Sequence, residues 1–538
     1  MKNTQKEKRP LKSIAGDYFT YIGRHLPQQC ASDEFYFLPR AEVAIQHLDS
    51  LDDLTPGIIQ DHIRYVQGLL SEISADKRDD LEEEIDRLLL KQSMESFIRE
   101  FDDAEGWRND PTLYVKIPLF AMDQVLSRRD STPDHVKANL STIFAQIPSF
   151  LRLAVRNLGS PPEISLQVAL NMAQDAIHFH GRDIRSLIEE RIGENTELVA
   201  KNREVLEAWE RYKRELLHLP SRKSFAIGED GLEKILAVSL GYPRHPKEIL
   251  EIAQHAYQET QKEIRKFASN IDSRKTWELI VYEQLPSICS PEEFLRLFHR
   301  EVQSLRRFFY SQDIITFPSG EKIAVLQTPN YLKSLRATAS YRAPLTGNTR
   351  GHGIFYITPG REDLELISSH RPYLSAHETY PGHHILDHLR IHHSNPIRRQ
   401  IESPLFYEGW ACYGEQLLNE LGYVKDPRQQ LIHLKRLLWR SLRAVVDVEL
   451  QTGKITLAQA AKKMETFGFS AKRTQRQMRR FALTPGYQLC YFMGMYEINR
   501  LRKQFSSRLG PKPFHDILLG GGEIPFHLVE KRLEASLV

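Results

Sequence analysis

Cysteine is scarce in this chain of 538 residues, and no two of its four copies form a CxxC pair. Cys30, Cys289, Cys412 and Cys490 lie far apart, so they indicate neither a disulfide framework nor a zinc site built from thiolates. A chain with this cysteine usage is typical of a reducing compartment. We therefore expect a cytoplasmic location.

Long apolar runs and an excess of one charge are missing as well. No stretch approaches the ~20 apolar residues that a membrane-spanning helix needs, and the basic N-terminus lacks the apolar segment of a signal peptide. The 73 basic and 70 acidic residues leave a net charge of only +3. We expect neither a membrane nor a nucleic acid as a partner.

Helical periodicity is what the sequence has in abundance. Apolar residues recur three and four positions apart, the pattern of amphipathic helices. Five long segments show it: 53–73, 81–101, 134–158, 164–191 and 195–218. The exceptions are "KIAVLQTP" and "GIFYITPG" within 322–358, which read as short strands. The sequence predicts a mainly α fold with a small β element, and a soft domain boundary near residue 320.

A histidine-rich segment, "HETYPGHH" at 377–384, follows the predicted strands. Two histidines can bind one ion from a regular helix when they lie four positions apart, but the residue four after His377 is Pro381, which breaks the helix. A bulged turn at Pro381 and Gly382 could return His383 to His377. On an unbroken helix His384 would lie ~10 Å from His377, too far for a shared ion. We favour His383 over His384 as a ligand; the alternative is a histidine-rich surface turn.

Glu378 lies next to the first of these histidines. A carboxylate in that position can reach a water molecule that the metal acidifies, and can accept its proton. Glu378 is therefore the candidate general base. A His-Glu pair also arises by chance in a chain of this length.

A third ligand is expected on the segment 402–423, which has Ser403 as an N-cap and Pro404 at the first helical position. One face of this helix carries Glu408, Ala411, Cys412 and Glu415. A glutamate on the buried face of an apolar helix needs a cation, so Glu408 is the candidate. The alternative is a glutamate on the solvent face.

These motifs together resemble the domain of unknown function 885 family, whose members carry HE, two variable residues and PGHH, then EGWA and Y-x-E. "HETYPGHH" and "YEGWACYGE" match that pair. "TPGYQLCYFMG" (484–494) and the close at 513–533 are similar to the family's C-terminal segments, and "NDPTLYV" (109–115) to its N-terminal third. The family's usual PGQ reads Pro485-Gly486-Tyr487 here, a departure that we expect to affect local side-chain contacts but not the metal site.

The resemblance implies a zinc metallopeptidase with a large, mainly helical fold related to gluzincins. It implies His377, His383 and Glu408 as zinc ligands and Glu378 as the general base. The region 1–320 would then form one wall of a cleft, and 321–538 would be the zinc-binding catalytic region, with the β element next to the zinc-binding helix.

Two further residues match the family near its close. Tyr491 matches the tyrosine of the closing segment, and we expect its hydroxyl to stabilise the oxyanion; the alternative is a core aromatic with a backbone partner. Arg480 matches a family arginine that could hold a substrate carboxylate.

The function expected from the sequence is a zinc-dependent metallopeptidase that cleaves peptides. The strand "GIFYITP" would lie beside the zinc and pair with an extended peptide at its edge; the alternative is an ordinary hairpin. A zinc amidase or esterase acting on a small metabolite would use the same site. A non-catalytic binding protein with a retained metal site is a third possibility.

Overall fold

The computed structural model describes residues 9–73, 79–127, 131–283, 285, 290–333, 336–346, 351–358, 364–467 and 471–537. Within these residues helices predominate, and one small sheet accompanies them. The prediction of a mainly α fold is confirmed. Cys289 lies outside the described residues, whereas the other three cysteines are free and buried.

Fourteen described helices precede the sheet. They are α1 (Leu11–His25), α2 (Pro27–Ala31), α3 (Pro56–Glu72), α4 (Leu81–Ile98), α5 (Gly106–Asn109), α6 (Leu113–Leu126), α7 (Pro133–Asn157), α8 (Glu163–His178), α9 (Ile184–Ile192), α10 (Thr196–His218), α11 (Gly228–Lys234), α12 (Pro246–Ile271), α13 (Trp277–Tyr282) and α14 (Pro291–Gln312).

The five segments predicted as helices are helical, but two of them contain a π-helical turn. The segment 81–101 ends in one at Arg99–Asp103. The segment 164–191 contains a π-helical turn at Phe179–Asp183 between α8 and α9. Several helices begin at the signals that the sequence offers: α7 has proline at its start and Thr132 as its N-cap, and the Asn195 side chain accepts from the backbone of Leu198 to cap α10. Their apolar faces, such as Val205 and Trp209 of α10, are buried in one continuous core.

The sheet has three strands in the order β1-β3-β2: β1 (Ile323–Gln327), β2 (Ala339–Arg342) and β3 (Gly353–Ile357). β3 pairs parallel with β1 and antiparallel with β2. The sequence predicted β1 and β3 but missed β2. Because β3 has a neighbour on each side, the expectation that "GIFYITP" offers a free edge to a peptide is wrong. β2 and β3 are consecutive and antiparallel, so β3 belongs to a hairpin, which was the alternative.

Eleven described helices follow the sheet. They are α15 (Leu364–Ser369), α16 (Arg371–Glu378), α17 (His383–Ile391), α18 (Pro396–Gln400), α19 (Pro404–Glu420), α20 (Pro427–Gln451), α21 (Leu457–Thr466), α22 (Ala471–Leu483), α23 (Cys490–Leu509), α24 (Pro511–Leu519) and α25 (Phe526–Ala535).

Two helix pairs fix the centre of the molecule: α12 packs along α20, and α19 packs along α23. At the second crossing two glycines meet, and a Cβ added to Gly494 would lie 2.0 Å from the carbonyl oxygen of Leu405 and 2.7 Å from Cα of Gly409. α19 and α23 therefore touch backbone to backbone.

No helix among the described residues is long and apolar enough to cross a membrane. The domain boundary near residue 320 stays a prediction.

Candidate metal centre

The helix that carries the first histidine ends early and the chain turns back on itself. α16 stops at Glu378 and α17 starts at His383, with Pro381 and Gly382 in between. The amide of Gly382 donates to the carbonyl of Ala376 at 3.0 Å. A Cβ on Gly382 would lie 1.9 Å from the carbonyl oxygen of His377, so only glycine permits this approach.

This turn places two histidine rings together. The ring centroids of His377 and His383 are 4.7 Å apart. Glu408, on α19, completes the group: its Oε2 lies 3.3 Å from Nε2 of His377 and 3.7 Å from Nε2 of His383. All three side chains are buried, and one ligand atom of each lies within 4.8 Å of the others. The structure thus brings together the three residues that the sequence predicts as ligands.

The donor atoms of this triad fit a zinc ion. Zinc binds histidine nitrogen and carboxylate oxygen at ~2.0–2.1 Å, and the corners of such a tetrahedron lie ~3.3–3.4 Å apart. The 3.3 Å separation of Glu408 Oε2 from His377 matches that edge length, and the 3.7 Å separation from His383 exceeds it by a few tenths of an ångström. Oε2 is buried and has no hydrogen-bond partner, which is costly unless a cation satisfies it. The three residues can therefore hold a metal ion.

His384 occupies a different environment. Its Nε2 lies 3.2 Å from Oε2 of Glu321, and its Nδ1 lies 3.3 Å from the hydroxyl of Tyr341. Because α17 begins at His383, the His383 side chain points towards His377 and the His384 side chain points towards the sheet.

A second carboxylate contacts the other ring nitrogen of His377. It belongs to Glu415, on the same face of α19 as Glu408, and its Oε1 lies 2.9 Å from Nδ1 of His377. Arg436 donates to both oxygens of Glu415 at 2.6 Å, and Arg440 pairs with it too. A carboxylate on the far nitrogen of a ligand histidine fixes the ring and raises its basicity.

Aromatic rings pack around the other two members. The Tyr407 ring stacks on His383 with centroids 3.8 Å apart. The Tyr487 hydroxyl donates to Oε1 of Glu408 at 2.7 Å. Tyr487 stands where the family has glutamine, so the departure from the family pattern reaches the metal site, contrary to expectation.

The charges in the site follow from these contacts. Burial raises the pKa of Glu408, but the adjacent imidazoles of His377 and His383 outweigh it and lower the pKa to about 2. Burial, with the charge of His377, lowers the pKa of His383 to about 3. An ionised glutamate and a neutral histidine are the forms that bind metal.

Glu378 borders a cavity of about 200 Å³ that opens beside the triad. Its carboxylate accepts from the backbone amide of Tyr341 on β2, and burial raises its pKa to about 7. A carboxyl group with a pKa near neutrality can both accept and return a proton. His377, Ala337 and Ala339 line the same cavity. The candidate base and the candidate metal thus face one space.

Tyr491 and Arg480 also line this cavity. The Tyr491 ring lies nearly parallel to that of His377, with centroids 6.2 Å apart, and the Arg443 guanidinium carbon sits 3.6 Å from its centre. Tyr491 is half-buried rather than a core residue. Burial and the charge of Glu408 raise its pKa, so its hydroxyl stays protonated and can donate.

The sequence reasoning missed three contributors to the site. Glu415 was placed on the same helix face as Glu408 but given no role, although the tyrosine-x-glutamate of the motif pointed to it. Tyr487 was noted only as a departure. The arginines of α20 carried no signal, because their approach to Glu415 depends on tertiary packing.

The family of the protein follows from a comparison of its whole sequence. The family described as "Bacterial protein of unknown function (DUF885)" matches residues 41–533. The chain belongs to the DUF885 family. A search of curated proteins finds no match.

Two solved structures share the fold of this DUF885 protein. One is a "putative lipoprotein of unknown function" from Shewanella oneidensis, with a TM-score of 0.73 and 18% identity over 97% of this chain and 99% of that one. The other is a "putative lipoprotein" from Colwellia psychrerythraea, with a TM-score of 0.77 and 19% identity over 99% of this chain and 100% of that one. At these identities the likeness establishes the fold.

The expected cytoplasmic location is corrected by the same finding. Each of the two neighbours is described as a "putative lipoprotein", a description that contradicts the expectation. The expectation rested on scarce cysteine, which indicates a chain without disulfides but does not identify a compartment.

Proposed function

We propose that this DUF885 protein is a zinc-dependent hydrolase, and specifically a metallopeptidase that cleaves peptides. One observation carries the proposal: the ligand atoms of His377, His383 and Glu408 converge beside a cavity that Glu378 also lines. A closed structural metal site has no use for such a cavity or for a buried carboxyl group at its edge.

The roles of the residues follow from their positions. A zinc ion bound there supplies Lewis-acid chemistry, which polarises a carbonyl and acidifies water. Glu378 accepts a proton from the attacking water and passes it to the departing nitrogen. The water oxygen bonds to the carbonyl carbon, the carbon–nitrogen bond breaks, and an acid and an amine leave. Tyr491 donates to the oxygen on which negative charge develops.

Glu415 keeps this arrangement rigid. It lies against Nδ1 of His377, while Arg436 and Arg440 hold its two oxygens. The ring of His377 therefore presents Nε2 towards Glu408 in a fixed orientation.

A peptide substrate is favoured over a small metabolite by the edge of the sheet. β2 is an edge strand, and the amide of its Tyr341 already reaches Glu378. Ala337 and Ala339 place small side chains along the cavity. An extended peptide can add to such an edge through its main chain, which would align its carbonyls with Glu378.

Metal analysis combined with peptide turnover tests the proposal. The purified protein should hold one zinc ion per chain, and His377→Ala or Glu408→Ala should lose most of it. Glu378→Gln should keep zinc and fold but lose most turnover of a peptide library, because the proton acceptor is gone. His384→Ala is the matched control and should retain zinc.

Three outcomes would contradict parts of this assignment. Full zinc occupancy in the His377 or Glu408 variant would remove the ligand set. Hydrolysis of small amides or esters, with no peptide cleaved, would favour an amidase or esterase. Full zinc with no hydrolysis of any kind would favour a binding protein.

A further inference from the structure

The cavity beside the metal centre is strongly basic. Six cationic side chains line it: Lys435, Arg436, Arg440, Arg443, Arg473 and Arg480. They come from two neighbouring helices, α20 and α22. On each helix they recur at helical spacing and therefore lie on one face, which borders the cavity. Among the described lining residues, Glu378 is the one carboxylate.

Protein carboxylates neutralise only part of this charge. Glu415 lies behind the wall and pairs with Arg436 and Arg440. Arg443 and Arg480, in contrast, form no ion pair with a carboxylate among the described residues. A purely structural arginine cluster would be matched by carboxylates, because buried unpaired charge is costly.

Several N–H donors of the arginines that line the cavity have no hydrogen-bond acceptor among the described residues. Nη1 of Arg440 is buried without a hydrogen-bond partner, and the residue is only 3% exposed. Nε of Arg443, a 9% exposed residue, is likewise unpaired. Arg480 is exposed and forms no side-chain hydrogen bond or ion pair with the described residues. An anion in the cavity would satisfy all three.

We propose that the substrate is a peptide with a carboxylate next to the scissile amide, and that this basic cavity holds that carboxylate. This inference rests on the proposed function, and it adds the chemical class of the substrate. The carboxylate has two possible sources, a Glu or Asp side chain and a free C-terminus. Arginine binds either of them with paired, charge-assisted hydrogen bonds. The β2 edge, with which the peptide main chain pairs, borders the same cavity.

Matched N-acetylated peptides, assayed with the zinc-loaded full-length protein, test the inference. One set differs only by glutamate or glutamine, and the other by a free or an amidated C-terminus. A hydrogen bond to a charged group contributes ~1.5–3 kcal/mol, so kcat/KM should be ~10–100-fold higher for the carboxylate member. The set that shows the larger ratio identifies the source of the carboxylate.

Arg480→Gln should reduce this preference about tenfold or more, because Arg480 has no structural role to lose. Arg479→Gln, on the same helix but outside the cavity lining, is the matched control and should retain it. Equal kcat/KM for carboxylate and neutral peptides in the wild-type protein would overturn the inference and leave the peptidase proposal intact.

A binding measurement separates failure of the inference from failure of the proposed function. Calorimetry with Glu378→Gln measures the affinity of the same peptides without turnover. If the wild type cleaves no peptide, the peptidase proposal fails, and binding alone decides the inference. Tighter binding of the carboxylate peptides that Arg480→Gln abolishes would support it; equal binding within each pair would overturn it.

Discussion

Two tyrosines one helical turn apart divide the work around Glu408. The Tyr487 hydroxyl donates to Oε1 of Glu408, whereas Tyr491 stacks near His377 and faces the cavity. Burial, with the charge of Glu408, raises the pKa of both hydroxyls, so each remains a donor. Their positions give Tyr487 the task of orienting a ligand and Tyr491 that of meeting the substrate.

Removing each hydroxyl should therefore have a different effect. Tyr491→Phe is expected to cut kcat by ~10²-fold or more, with zinc content and melting temperature unchanged, because the developing charge loses a donor while Tyr487 still donates to Glu408. Tyr487→Phe is expected to weaken zinc binding ~10–100-fold, because the ligand carboxylate loses its partner. Steady-state kinetics and competitive metal titration measure the two effects, and the reverse pattern would exchange the assignments.

At this scale the sequence is most informative where neighbouring residues share one motif. His377, Glu378 and the helix break could be predicted, because chain geometry alone decides what Pro381 does to a helix. Arg440 and Glu415 could not be paired in advance, since they lie 25 positions apart on two different helices. Contacts of that kind depend on how helices pack, which periodicity does not specify.

At the scale of elements, the crossing of α19 and α23 determines the site. Gly409 follows Glu408 directly, and Gly494 lies three residues after Tyr491. Because the two glycines allow the backbones to touch, the helices bring the carboxylate and the phenol to one place. Any side chain at the crossing must push the helices apart.

Gly494→Ala should test this crossing. The added Cβ would lie 2.0 Å from a backbone oxygen, so the helices must separate, and we expect a loss of ~1–3 kcal/mol or more in unfolding free energy together with reduced zinc occupancy. Gly68→Ala is the control: Gly68 lies on the exposed face of α3 with nothing within 4 Å of the new Cβ, so the change should be neutral or stabilising by ~0.5–1 kcal/mol. Denaturant unfolding and metal analysis measure both. Unchanged stability and zinc in Gly494→Ala would show that the crossing tolerates a side chain.

Among the elements themselves, helices were easier to predict than strands. Long amphipathic segments such as 195–218 carry many repeats of one pattern. β2 has only four residues, too few for an alternation of apolar and polar residues to be recognised. The order in which strands pair cannot be predicted from the sequence of any single strand. The sequence therefore predicts a free edge on β3, whereas the edge lies on β2.

For the whole molecule, Glu321 joins parts of the chain that are distant in sequence. Its carboxylate accepts from the Tyr380 hydroxyl at 2.6 Å, from Arg306 at 2.8 Å and from the Tyr310 hydroxyl at 2.9 Å, and it contacts His384. Burial raises its pKa, but these hydrogen bonds outweigh it and lower the pKa from 4.5 to about 2. The folded protein therefore prefers the ionised carboxylate.

This preference predicts a pH dependence of stability. The contribution of Glu321 is fully present above its unfolded pKa of 4.5 and is lost as the pH falls towards 2. Glu321→Gln should lower the unfolding free energy by ~1–3 kcal/mol at neutral pH, and the gap from wild type should narrow below pH 4.5. Denaturant melts across this range measure the gap. Exposed Glu251→Gln should change little at any pH, and a gap for Glu321→Gln that stays constant would contradict the assignment.

The basic cavity would also control how quickly a metal ion enters and leaves the proposed site. A dication that approached His377, His383 and Glu408 through this opening would pass the arginines of the lining, which repel it before the ligand carboxylate can compensate. The same barrier stands in the way of departure. Exchange of the ion with solution should therefore be slow, and added salt or a carboxylate in the cavity should accelerate it by screening the wall. The site would then retain its metal by slow kinetics as well as by affinity.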